Sequence, residues 1–223
     1  MIELNAPVGG NDGKRIAPEG AHVARCYQIV DLGTTEQGGQ YPGKKRKVQF
    51  LFELPLELAM FDESKGLQPY YTRAMYTLSL HEKSSLRRDI ESWIGKRMTD
   101  KEASKFNIFK LIGAPCMVNV VHTNKGDNVY ANMASISPVP KGMTCPAQVN
   151  PSLIYSPTAH DMETFSKLPE FVRDKIKQSD EFIAYMEHEM NLNYPDVRVD
   201  ENDQLGKVDV DDIFGNGTSL PWD

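Results

Sequence analysis

Two stretches of the sequence carry residues at spacings that could do chemistry. Gly38 to Lys44 supplies seven positions of the phosphate-cradling pattern GxxxxGK, in which backbone amides hold phosphates and the lysine neutralises them. Lys45 then stands where a serine or threonine must reach magnesium, and the segment joins two expected strands instead of opening a helix, so nucleotide hydrolysis is not expected. His188-Glu189 begins the zinc pattern HExxH, but Leu192 occupies the place of the second histidine. His81-Glu82 reads as a strand-to-helix junction, and the other histidines are scattered. Base, nucleophile and orienting group do not converge along the chain. The expectation is a non-catalytic protein with no metal and no cofactor.

A third pattern is more informative. Lys44, Lys45, Arg46 and Lys47 form a dense cationic block, with Arg25 upstream and Arg73 downstream. Tyr27, Tyr41, Tyr71 and Tyr130 fall in or beside the same elements. Cations that follow a sugar-phosphate backbone, together with aromatic faces on which bases stack, make up the sequence-tolerant mode of single-strand binding. These ten residues are the candidate DNA-binding set. Alternation along the third strand puts Tyr71 and Arg73 on one face and Tyr70 and Tyr76 on the other, so Tyr71 is the preferred stacking residue.

The elements that must position them follow from periodicity. Ala21 to Leu32 is dense in β-branched and aromatic residues and stops at Gly33. Lys47 to Leu54 alternates, with Val48, Phe50, Phe52 and Leu54 on one face, and Pro55 is expected to end it. Tyr70 to Leu80 reads as a third strand. Leu86, Ile90, Trp93 and Ile94 then mark one stripe of a helix ending at Gly95, and a short helix is expected within Asp100 to Leu111. Cys116 to Thr123 and Asn128 to Ser137 form a hairpin around Asn124-Lys125-Gly126-Asp127.

Strand, strand, strand, helix, strand, strand is the order of the five-stranded OB barrel, with its helix between strands three and four. The expected fold class is therefore mainly β. Residues 1–19 read as a flexible arm, 20–140 as the OB-type domain, 141–195 as a linker with short helices at Leu168 to Ile176 and Ser179 to Glu189, and 196–223 as a disordered acidic tail.

Charge distribution fits this division. The formal net charge is -6, and Asp196 to the end holds eight acids against two bases, leaving 23 of each in the body. Within the tail, Asp209, Asp211 and Asp212 precede Ile213-Phe214, and Pro221-Trp222 precede Asp223. Acids beside exposed aromatic residues form a docking peptide for a basic, apolar pocket on another protein. Cys26, Cys116 and Cys145 are odd in number and far apart, which points to reduced, buried thiols. No apolar run reaches the roughly 20 residues of a membrane span, and the N-terminus lacks a signal-peptide layout, so a cytoplasmic protein with no membrane partner is expected.

Three segments, Gly20 to Tyr27, Tyr76 to Leu86 and Tyr130 to Pro138, resemble a group of tailed-bacteriophage single-stranded-DNA-binding proteins of OB-fold type, and the likeness covers roughly Gly20 to Ile176. The resemblance implies protection of exposed strands during phage DNA replication or recombination in the host bacterial cytoplasm. The tail is similar to that of bacterial single-stranded-DNA-binding proteins, which end in acids followed by Ile-Pro-Phe. Here Asp211-Asp212-Ile213-Phe214 lacks the proline and is internal, so a replicative polymerase, helicase or recombinase of the phage is the expected partner. The rival readings are an OB-type protein-interaction module and a metal-dependent nuclease.

Overall fold

The computed structural model describes residues 16–39, 42–126 and 128–193. Tyr41 and the tail residues Asp209, Asp211, Asp212, Ile213, Phe214, Pro221, Trp222 and Asp223 lie outside the described residues. The chain divides after Tyr185; of the second unit only residues 186–193, the end of the last helix, are described.

The first unit is built on one mainly antiparallel sheet. β1 (Gly20–Gln37), β2 (Gly43–Asp62), β3 (Gly66–Thr77), β4 (Pro115–Lys125) and β5 (Asn128–Ser137) hydrogen-bond in the order β3-β2-β1-β4-β5. A sixth, unexpected strand, β6 (Leu153–Tyr155), pairs parallel with Gln28–Val30 of β1. The sheet does not close: β3 and β5 end this order, and although they approach each other no ladder joins them among the described residues. The expected five-stranded barrel is thus found as an open, six-stranded sheet.

Three strands run further than their sequences suggest. β1 passes Gly33 by a register shift between Asp31 and Gly33, where Gly33 has φ +73° and a Cβ would lie 2.4 Å from the side chain of Ser179. Only glycine accepts both the left-handed backbone and that approach. A second shift lies between Cys26 and Gln28; Gly20 to Arg25 pair with β4 and Arg25 to Gln37 with β2, so Arg25 belongs to both ladders. β2 continues past Pro55 because the ladder with β3 skips from Leu54 to Leu58, a bulge that accommodates a residue with no N–H to donate. β3, in turn, begins at Gly66.

The helix α1 (Ser85–Ile94) stands where it was expected, between β3 and β4. Ser84 caps its start by accepting from the Arg87 amide, and Gly95 ends it in the left-handed conformation. Its stripe of Leu86, Ile90 and Trp93 is buried against Phe50 and Phe52, while Ile94 remains exposed. Trp93 Nε1 donates to Pro115 O at 2.8 Å, and Tyr76 Oη donates to Asp89 at 3.0 Å, tying the helix to both sides of the sheet. The short α2 (Asp100–Ala103) follows under a capping box from Thr99 and Glu102.

The stretch expected as a linker crosses the sheet instead. Glu53, 0% exposed on the face away from α1, accepts from the Val149 and Asn150 amides and from Asn150 Nδ2 at 2.7 to 2.8 Å. Beyond β6, α3 (Met162–Ser166), α4 (Glu170–Lys177) and α5 (Asp180–Asn193) follow. They bury Phe165, Leu168, Val172, Ile176 and Phe182, with Phe165 stacked on Phe182 at 5.1 Å. The three cysteines are buried and unpaired, and burial pushes the Cys26 thiol far up. Among the described residues no helix is long and apolar enough to cross a membrane.

Candidate functional site

Of the nine candidate residues that are described, seven fall into two groups, and Arg25 and Tyr27 stand apart from both. The first is the cationic block, which lies in the ladder between β1 and β2: Lys44, Lys45, Arg46 and Lys47 face Glu36, Thr35, Thr34 and Gly33. Lys44, Arg46 and Lys47 each meet a partner within the chain. Lys44 Nζ binds Asp180 at 2.9 to 3.0 Å, and Lys47 Nζ donates to Thr77 Oγ1 at 3.0 Å. Arg46 forks onto Asp31, which is 3% exposed, and reaches Glu181 at 3.6 Å. Hydrogen bonds from Gly33 N and Ser156 Oγ complete the Asp31 carboxylate.

Glu181 and Asp180 open α5, where acids also suit the helix N-terminus. Burial alone would push the Glu181 carboxyl up, but donation by Thr34 N and Thr34 Oγ1, with Arg46 nearby, outweighs it and holds the carboxyl below its ordinary value. Arg25 is committed elsewhere. Its guanidinium donates to the carbonyls of Pro146, Gly113 and Cys145 at 2.6, 2.8 and 3.2 Å, clamping the crossing segment to β1. Tyr27, at the β1 bulge, is half-buried, and burial first, then Tyr71 and Glu53, push its phenol far up.

The second group is Tyr71, Arg73 and Tyr130, and these the fold brings together. They line a cleft of about 370 Å³ between the edge strands β3 and β5. Strand alternation turns Tyr71 and Arg73 to the outer face, as expected from the sequence, while Tyr70 and Thr72 face inward. Tyr71 is 55% exposed and Tyr130 39%, and the crossing segment that covers Glu53 leaves this row of β3 open. Among the described residues no ion pair engages Arg73.

Sequence reasoning missed the rest of this cleft. Phe61, from the far end of β2, packs edge-on against Tyr70 at 5.0 Å and 80°, and Phe171 of α4 also reaches the lining. Ala17 forms part of the wall, held by the bond between its carbonyl and His122 Nε2 at 2.8 Å. Thr72 is 2% exposed and its Oγ1 has no hydrogen-bond partner among the described residues. The continuation of β2 past Pro55 is what carries Phe61 to the cleft, and Pro55 hides that continuation.

Among the described residues the arrangement offers stacking surfaces and one guanidinium that no ion pair engages, in one open-sided space. No protein-family model and no curated protein matches the chain.

Proposed function

We propose that the protein binds single-stranded DNA along the edge strand β3, with Tyr71 and Tyr130 as stacking platforms and Arg73 as the phosphate-neutralising cation. The observation that carries this reading is the convergence of those three side chains on one open cleft. Stacking on aromatic faces is sequence-tolerant because every base has a π-face, and it contributes about 1–3 kcal/mol per base. The strand order, with α1 between β3 and β4, supports an OB-type arrangement, a fold whose strands two and three carry oligonucleotide sites. A role in protecting exposed strands during phage replication or recombination, with the acidic tail recruiting replication proteins, follows from the resemblance in the sequence.

The test is fluorescence anisotropy of a labelled oligo-dT and its duplex counterpart, at low and high salt. Binding of the single strand alone, weakened by salt with a slope of about -0.7 per phosphate contacted, is the expected result. Absence of binding to either would leave a protein-interaction module as the better reading.

A further inference from the structure

The part of β2 beyond Pro55 is patterned the wrong way round for a strand that faces water. Along Leu56, Glu57, Leu58, Ala59 and Met60 the side chains alternate as on any strand, but the two leucines and the methionine take the open side while Glu57 and Ala59 take the covered one. The facing strand repeats the inversion, since Leu67, opposite Met60, is open and Gln68 is partly covered. Leu56, Leu58, Met60 and Leu67 are 46% to 63% exposed. An antiparallel strand with one wet face ordinarily turns its polar residues to the water. This segment is patterned for a buried face that the single chain does not bury.

The ribbon also lacks support on that side. Among the described residues the ladder with β1 reaches no further along β2 than Glu53, so beyond Pro55 the strand pairs with β3 alone. A two-stranded ribbon is marginal in water unless one of its faces is packed. Its covered side is held, with Glu57 meeting His22 Nδ1 at 3.1 Å and Phe61 edge-on to Tyr70 at 5.0 Å. Charge indicates what would cover the open side. None of the four outward side chains carries any, Glu57 is turned to His22, and at the turn Asp62 pairs with Lys65 at 3.6 Å. A nucleic acid or an acidic peptide would want cations here, and a basic peptide would want acids. An uncharged, apolar strand face suits it instead, and the same face on another copy of the chain has that chemistry at the same spacing.

We infer that the protein pairs with a second copy of itself through the open face of the β2–β3 ribbon, with Leu56, Leu58, Met60 and Leu67 of the two copies packed together. A two-fold axis sets one patch against its own equivalent, which is the commonest symmetry of soluble oligomers. Four such side chains make an apolar patch of a few hundred Å², the size at which a patch on a lone chain marks an interaction site. It would form the apolar centre of an interface of the standard roughly 800 Å² per partner, with polar residues as the rim. The inference stands apart from the single-strand reading, because neither Tyr71 nor Arg73 enters it.

The experiment is sedimentation equilibrium of the full chain across the micromolar range, for the wild type, for the double variant Leu58→Gln with Met60→Gln, and for Leu67→Gln on the facing strand. The wild type is expected to sediment as a dimer. The double variant should raise the dimer dissociation constant at least about 100-fold, since each substitution acts twice in a two-fold interface. Leu67→Gln should raise it by about tenfold or more. These side chains already face water in the single chain, so dilute variants should melt with the dilute wild type, whereas the wild-type melting temperature alone should climb with protein concentration. A wild type that stays monomeric throughout overturns the inference and leaves the face to an apolar surface on a different protein. A dimer that Leu67→Gln and the double variant both leave intact overturns it as well, by placing the contact elsewhere. Should the double variant fail to fold, Leu67→Gln and the concentration dependence of wild-type melting decide: weakened association with concentration-dependent melting supports the pairing, and melting that ignores concentration sinks it.

Discussion

The cationic block of β2 and the cleft at β3 sit on one ladder, with Lys47 opposite Thr77 and Leu51 opposite Arg73, yet they differ in what they leave for a partner. Lys44 and Arg46 meet Asp180, Asp31 and Glu181, so the part of the sequence richest in positive charge is largely neutralised by the chain itself. Among the described residues the lining of the cleft has one cation, Arg73, which no ion pair engages and which stands beside ring surface. Density of charge along a sequence is therefore a poor guide to charge available for binding; what decides is whether the fold supplies an acid for each base.

The comparison is broken most directly by replacing Tyr71 and Arg73 together with alanine. Losing one stacking platform and one phosphate contact should weaken oligo-dT binding on the order of 100-fold in anisotropy at low salt, with the melting temperature nearly unchanged. A double variant that binds like the wild type would place the interface elsewhere. Arg46→Ala should give the opposite profile. It leaves Asp31 buried and without its cation, a loss of about 3–5 kcal/mol, which lowers the melting temperature by roughly 6–20 °C while affinity below the transition holds.

Acid should reveal the same contact from the other side. The folded-state pKa of Glu181 lies below its ordinary value of 4.5, so its contribution is fully present above that value and is lost as pH falls through the lowered folded pKa. Thermal melts across the acid range should show a component of destabilisation that disappears in Glu181→Gln; an unchanged pH profile would mean that the Thr34 and Arg46 contacts do not hold the carboxylate. The smallest effect belongs to Lys44→Ala. The lysine and its partner are both exposed, and no more than about a twofold change in DNA affinity is expected, by titration at fixed salt. A larger loss would return the block to the interface.

What could be read in advance was local. The alternation that put Tyr71 and Arg73 on one face, the Leu86-Ile90-Trp93 stripe and the Gly95 stop are properties of neighbouring residues, and the fold keeps them. The charge of Arg25 is visible in the sequence and marks it as a candidate DNA contact. Its carbonyl partners at Cys145 and Pro146 are 120 and 121 residues away and carry no side-chain signature. Asp180 and Asp31 were likewise visible as acids, but nothing in their spacing assigns them to Lys44 and Arg46. Thr72 was equally illegible, since a missing hydrogen bond belongs to the assembled structure and not to the residue.

The Glu53 clamp has a temporal side. Among the described residues, the donors that meet its carboxylate come from Val149 and Asn150, 96 and 97 residues further along the chain. On a ribosome adding about 5–20 residues per second, they are made on the order of 5–20 s after Glu53 itself. During that interval the nascent chain can complete β1 through β5, but a carboxylate destined for the interior must stay hydrated. A release factor acting just after the β4–β5 hairpin would therefore leave every principal strand in place and still yield a polypeptide that cannot close over its own acid.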